Sequence, residues 1–377
     1  MADLGVGIIG AGNISAAYLR LGPLFKNLEI RAVADINMDN ANARAEEFGV
    51  DARTVDDLLA SDDIDMVVNL TIPDAHFAVT KRILEAGKHA YSEKPLVLTL
   101  EEGEELKRIS EATGLRVGSA PDTILGGSHQ LARKAIEDGL VGDIVAGTCH
   151  VMSHGMEHWH PNPDFFFLPG AGPMLDIGPY YVQNLINLIG PVKRVAALAN
   201  AVESERTIGN GDREGEKVPV KTPTNIHALL EFVNGATITI STSWDVWKHR
   251  HANMELYGTE GSLFVPDPNF FGGTVEYTER GGDIQEVPGW DHPFGVPNQD
   301  RPDGSQIANY RTAGLADMAQ AIVDGRDHRL NIDRAVHGVE VMTAVIKSGE
   351  TGQFIDMTTT CTQFDPLGPD EARALLK

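Results

Sequence analysis

The chain has 377 residues, enough for two domains that each bury a core, and its 31 Lys and Arg against 54 Asp and Glu leave a formal net charge of −23. Such a surface repels a polyphosphate backbone, which argues against nucleic acid as a partner. Its two cysteines, Cys149 and Cys361, are far apart, and no run of about 18 uninterrupted apolar residues occurs, so neither a disulfide framework, a thiolate metal site nor a membrane span is expected.

The first strand is expected from about Leu4, with no basic or apolar leader before it, which suits a cytoplasmic protein. In Val6-Gly7-Ile8-Ile9-Gly10-Ala11-Gly12-Asn13-Ile14-Ser15 an apolar run stops at glycines and passes into a helical pattern. That is the strand, turn and helix of a dinucleotide fingerprint. Gly10 permits the turn, Gly12 lets a pyrophosphate approach bare backbone at the helix N-terminus, and Ser15 stands where the third glycine would be. The next apolar run, Glu29 to Ala34, ends in Asp35, 23 residues after Gly12, where an acid accepts ribose hydroxyls and repels a 2′-phosphate. Ile36 and Asn37 offer no cation to hold that phosphate, so NAD is expected rather than NADP.

Strands and helices then alternate. A helix ends at Gly49, an acidic helix spans Val55 to Ala60, and a strand from Asp65 to Leu70 leads into Thr71-Ile72-Pro73. A helix from His76 to Ala86 precedes the strand Lys88 to Ser92, which runs into Glu93-Lys94-Pro95. The helix Leu100 to Thr113 and the strand Arg116 to Ser119 complete a doubly wound βαβ series. Lys94 lies just past the C-terminal end of a parallel strand, the edge where open α/β sheets hold ligands.

From about Pro121 the pattern changes. A helix from Gly127 to Asp138 precedes the run Ile144 to Met152, and later come Asn225 to Phe232, an Asn234-Gly235 turn and Ala236 to Trp244. In the last run Ile238 and Ile240 alternate with Thr237, Thr239 and Ser241, the period of a strand with one buried face. Short strands follow at Met254 to Gly258, Ser262 to Val265 and Thr274 to Thr278, and helices at Ala308 to Asp324, Arg334 to Lys347 and Pro369 to Lys377. The expected fold is an α/β Rossmann domain over 1–122, followed over 123–377 by an α+β domain with a large, mainly antiparallel open sheet. The segment from about 350 is expected to pack back on the first domain. Two polar stretches, Glu203 to Pro223 and Gly281 to Ala308, are too long for idle connections and suit flexible segments, cleft covers or subunit contacts.

His154, His158 and His160 with Glu157 form the densest imidazole cluster, but Pro161 and Pro163 break any helix there, no fourth ligand is evident, and no metal is expected. His158, Trp159 and His160 better suit a substrate cleft, where an aromatic face stacks on C–H bonds and imidazoles bond hydroxyls. Phe165 to Phe167 suit core or subunit contact.

Gly7 to Ser15, Ala34-Asp35, Thr71-Ile72-Pro73 with His76, Ala86 to His89, Glu93-Lys94-Pro95, Gly172 to Gly178 and Tyr257 to Gly261 together resemble the glucose-fructose oxidoreductase, inositol dehydrogenase and MocA family (Gfo/Idh/MocA) over almost the whole chain. The resemblance implies an NAD(P)-dependent dehydrogenase of sugars, cyclitols or related polyols, assembled as a homodimer or homotetramer through its open sheet. It places cofactor contacts at Gly10, Gly12, Asn13, Ile14, Asp35, Thr71, Pro73, His76, Glu93 and Lys94, with Lys94 reaching the reacting hydroxyl, Asp176 in the site and an acid/base residue four positions later. Many members carry histidine there. This chain has Tyr180, and Gln183 where a second aspartate is common. We expect one helix opening at Asp176 and running to Ile189, with 176, 180, 183 and 184 on one face, and a cation beside Tyr180 to favour its phenolate. Substrate contacts are expected from Lys94, His158, Trp159, His160, Asp176 and Tyr180. Two other functions use the same fold: a sugar oxidoreductase with a retained cofactor, working by transhydrogenation or redox-assisted glycoside cleavage, and a non-enzymatic dinucleotide sensor.

Overall fold

The computed structural model of the chain describes residues 3–377. Strands β1 (Leu4–Ile9), β2 (Leu28–Ala34), β3 (Asp51–Arg53), β4 (Met66–Asn69), β5 (His89–Ser92) and β6 (Val117–Ser119) form one sheet in the order β3-β2-β1-β4-β5-β6, every neighbouring pair parallel. Helices α1 (Ser15–Leu21), α2 (Met38–Phe48), α3 (Val55–Ala60), α4 (His76–Glu85) and α5 (Leu100–Thr113) fill the connections. Val6, Ile8, Val33, Val67, Val68 and Ala90 are all fully buried. Such continuous burial is what parallel strands covered on both faces require. Local signals fix the helix ends: Thr99 Oγ1 accepts the Glu102 N–H at 3.2 Å while the Glu102 carboxylate accepts the Thr99 N–H at 3.3 Å, a capping box at the start of α5.

A second sheet has nine strands. They are β7 (Ile144–Met152), β8 (Val192–Asn200), β11 (Asn225–Phe232), β12 (Thr237–Ser243), β13 (Met254–Gly258), β14 (Gly261–Val265), β15 (Glu276–Glu279), β16 (Gln285–Glu286) and β19 (Ile355–Asp356), ordered β16-β15-β14-β13-β7-β12-β11-β8-β19. Of these pairs only β7 with β12 is parallel. The remaining strands pair as two ribbons, β9 (Glu205–Thr207) with β10 (Lys217–Pro219), and β17 (Gln299–Asp300) with β18 (Gln306–Ile307). Ile226, Ala228, Leu230, Ile238 and Ile240 share one core with residues of α6 (Gly127–Glu137) and α8 (Gly178–Ile189). The opposite face carries His227, Thr237, Leu229 and Leu198, the last 76% exposed.

One expectation is corrected, and the two long polar stretches prove to be ordered. The helix expected from Asp176 to Ile189 is two helices, α7 (Gly172–Asp176) and α8, because Pro179 has no N–H and is tolerated only in a first turn, so α8 begins at Gly178. The stretch 203–223 is a built layer: Ile208 and Val218 are buried with Phe167 and Trp244, and Arg206, 3% exposed, bonds Glu157 at 3.2 Å and also Asp245, whose other oxygen accepts the Thr224 hydroxyl at 2.7 Å. The stretch 281–308 supplies β16, β17 and β18.

The described residues divide into two compact units, 3–127 with 290–339 and 367–377, and 128–289 with 340–366. Residues 290–339, expected with the second domain, thus belong with the Rossmann sheet. They contribute Phe294, which meets Phe25 edge to face at 5.9 Å, and α9 (Ala313–Asp324). Helix α10 (Ile332–Thr351) runs through the boundary at Val339, and the segment bearing α11 (Pro369–Leu375) joins the first unit through a bridge between Leu376 and Phe25.

Candidate functional site

Four turns meet at the C-terminal edge of the parallel sheet. Gly10, after β1, has φ +106°, and a Cβ there would stand 2.6 Å from the Leu70 carbonyl, so only glycine fits. At Gly12 a Cβ would meet nothing within 4 Å, which leaves open space above bare backbone, with Asn13 exposed beside it and Ile14 leading into α1. Ser15, buried in the third glycine's place, donates its hydroxyl to the Gly12 carbonyl at 2.6 Å and so braces the turn. Asp35, after β2, accepts the Ala11 N–H at 2.8 Å through one oxygen and the Asn37 N–H at 2.8 Å through the other. Each oxygen keeps acceptor capacity for ribose hydroxyls. This cradle fits a dinucleotide.

After β4, the Thr71 N–H and hydroxyl both bond Asn69 Oδ1, at 3.2 and 2.7 Å, and Pro73 opens a 3₁₀ turn leading to α4. His76 is buried between two carbonyls, its Nδ1 2.6 Å from Pro95 O and its Nε2 3.0 Å from Thr71 O, and burial holds its pKa below the ordinary value. After β5, Glu93 accepts the Tyr18 hydroxyl at 3.1 Å through Oε1 and the Lys94 N–H at 3.0 Å through Oε2. All ten expected cofactor residues therefore fall on this one edge. The structure adds Arg44 of α2, whose guanidinium lies 3.5 Å from the Gly12 carbonyl and 2.5 Å from Glu47. Nothing near Asp35 in sequence signals that cation.

In the second unit Asp176 ends α7, and Tyr180, 7% exposed, occupies the first turn of α8. The adjacent Tyr181 has a different setting. Its hydroxyl donates to Asp267 at 3.0 Å and accepts from Asn253 at 2.9 Å, and burial pushes its phenol far above the ordinary value, which keeps it protonated. Asn184 is buried against His129 Nδ1 at 3.2 Å, and Gln183 is buried on the same helix. His158 and Trp159 are exposed and His160 half-buried on a loop that the β9–β10 layer holds: Asn210 donates to the Trp159 carbonyl at 2.8 Å, and the Gly209 N–H to the Glu157 carbonyl at 2.9 Å. Of the imidazole cluster, Glu157 is bound to Arg206, and His154 stacks on Trp247 at 3.4 Å between centroids.

Residues 4–120 match the profile of the oxidoreductase family with an NAD-binding Rossmann fold, and residues 129–264 that of the GFO/IDH/MocA C-terminal domain. The chain is also 30% identical over 258 residues to an inositol 2-dehydrogenase of Rhizobium meliloti, 68% of this chain and 74% of the relative. It belongs to the Gfo/Idh/MocA oxidoreductase family. A levoglucosan dehydrogenase of Pseudarthrobacter phenanthrenivorans is 28% identical over 298 residues, 70% of this chain and 73% of its own length. An NAD binding oxidoreductase of Klebsiella pneumoniae shares the fold, with a TM-score of 0.81 over 95% of this chain and 100% of that one, at 20% identity. The protein is thus an NAD(P)-dependent oxidoreductase built on a nicotinamide dinucleotide.

The two fingerprint glycines should fail differently. Gly12→Ala should keep the melting temperature and weaken dinucleotide binding by about 10-fold, roughly 1.4 kcal/mol, because the new methyl occupies ligand space only. Gly10→Ala should cost about 1–3 kcal/mol of stability from backbone strain alone. Calorimetry and fluorescence titration of both variants check this; a Gly12→Ala protein with unchanged affinity contradicts the cradle.

Proposed function

We propose that the protein is an NAD-dependent dehydrogenase that oxidises a secondary hydroxyl of a sugar, cyclitol or related polyol. The carrying observation is that the braced glycine turn, Asp35 and the Glu93-Lys94 segment share one sheet edge. Relatives named for inositol and levoglucosan favour a polyol. Residues 1–122 hold the dinucleotide, through Gly10, Gly12, Asn13, Ile14, Asp35, Thr71, Pro73, His76, Glu93 and Lys94. The nicotinamide supplies the hydride acceptor when bound. Tyr180 is the acid/base group at the substrate hydroxyl, Lys94 bonds the same oxygen, and Asp176 orients the substrate. His158, Trp159 and His160 bind the rest of the sugar. Tyr181 is a packing and hydrogen-bonding group, held by Asp267 and Asn253. Cys149 and Cys361 are buried thiols, which suits a reducing compartment, and we place the enzyme in the cytoplasm.

Three outcomes follow from this reading. NAD should bind more tightly than NADP, since the Asp35 carboxylate faces the position of a 2′-phosphate. Asp35→Ser should narrow the gap, with Arg44 as the cation that then serves the phosphate; equal wild-type affinities for the two cofactors would contradict the assignment of Asp35. The uncovered face bearing Leu198, Leu229 and His227 should be the contact of a homodimer or homotetramer, so a monomer in sedimentation at micromolar concentration would remove that proposal. Tyr180→Phe should lower turnover by about 10²- to 10⁴-fold with folding and NAD affinity kept, and Lys94→Met should do similar damage. Near-normal turnover in Tyr180→Phe, together with loss in a His158 or His160 variant, would move the base to the loop around Trp159.

A further inference from the structure

Tyr18 is completely buried on α1, the helix that follows the dinucleotide turn, and its hydroxyl reaches a carboxylate 75 residues away. A buried phenol needs an acceptor, and packing alone would be served by phenylalanine. The acceptor is Glu93, which through its other oxygen holds the backbone N–H of Lys94 at 3.0 Å. The two bonds fix the carboxylate between α1 and the first residue after Glu93. Burial, and after it the charge of Glu93, push the Tyr18 phenol well above its ordinary value, so it stays a donor through the working pH range. Tyr91 provides a contrast in the same unit: it too is fully buried, yet its hydroxyl has no hydrogen-bond partner among the described residues.

We propose that Tyr18 is a positioning residue for Lys94, tying the helix of the dinucleotide turn to the backbone from which the lysine extends. The proposal rests on the reading that Lys94 acts at the reacting hydroxyl. It predicts that losing the hydroxyl loosens the Glu93-Lys94 segment and lowers turnover while leaving both binding steps nearly unchanged.

Amide hydrogen exchange of the peptide containing Glu93 and Lys94, read by mass spectrometry on full-length protein with NAD, tests the tie without any turnover. In Tyr18→Phe, exchange at Lys94 should be about 10-fold faster, as expected when one bond to a charged group is lost, and Tyr91→Phe should match the wild type. Glu93→Gln reaches the same contact from the acceptor side and should also speed exchange at Lys94, which keeps the proposal testable if Tyr18→Phe does not fold. With inositol and levoglucosan as probe substrates, kcat should fall about 10-fold in Tyr18→Phe while KM and NAD affinity stay within about twofold. The double variant Tyr18→Phe/Glu93→Gln should be no worse than Glu93→Gln alone. Unchanged exchange at Lys94 in a folded Tyr18→Phe protein overturns the proposal, as does a loss in KM rather than kcat. Full turnover in Lys94→Met instead overturns the role of Lys94, whatever the exchange result.

Discussion

The contact of the Gly10 backbone with the Leu70 carbonyl is the constraint on which the rest of the cofactor edge depends. Parallel pairing of β1 with β4 brings the two strand ends together, and at 2.6 Å from that carbonyl there is no room for a side chain. With the chain turning there, Ala11 presents its N–H to Asp35 and Gly12 presents open backbone. The same parallel geometry carries β2 and β5 to that edge, so Asp35, Thr71 and Glu93 arrive together although 58 residues of sequence separate the first from the last. A sheet of alternating direction would have sent half of these turns to the opposite end.

What was legible in the sequence follows from which interactions are local. Glycine, proline and capping residues act within a few positions, so α5 was bounded at Leu100 and Thr113 and the strand ends at Gly10 and Asp35 could be placed. The strand β8 was missed because its Lys193-Arg194 start and alanine-rich run, Ala196-Ala197, have weak strand character, and its place next to β11 comes from pairing with distant residues. Arg206 lies in the polar stretch Glu203 to Pro223. Only the fold brings Glu157 and Asp245 to it, from 49 and 39 residues away. The break at Pro179 is a local signal that the sequence does carry, and the expectation of one helix with 176, 180, 183 and 184 on one face passes over it.

Two buried aspartates of the first unit show how far ionisation depends on distant partners. Asp317 sits among the guanidinium groups of Arg326 and Arg329, at 2.9 and 2.8 Å, which hold its carboxyl below the usual range in spite of burial. Asp122 accepts the backbone N–H groups of Thr312 and Gly314, at 2.8 and 3.2 Å, and desolvation pushes it up to about 6 although these bonds and the charge of Arg311 draw it down. Two half-buried arginines thus hold the Asp317 carboxyl low, where two backbone N–H groups do not do the same for Asp122.

The bridge between Phe25 and Leu376 has a consequence for how the protein is made. The Rossmann sheet is encoded first, yet the layer that covers Phe25 comes from Phe294 and from the segment carrying Leu376. On the ribosome the first six strands therefore emerge with part of their apolar surface bare, and they remain so while the whole nine-stranded sheet is being synthesised. The second unit has almost all its residues between 128 and 289 and can begin folding inside that interval, whereas the first closes only when residue 376 has left the exit tunnel. For a chain of this design, chaperone capture during translation would act mainly on the amino-terminal half, and truncation near residue 122 would yield an open sheet rather than a free-standing cofactor module.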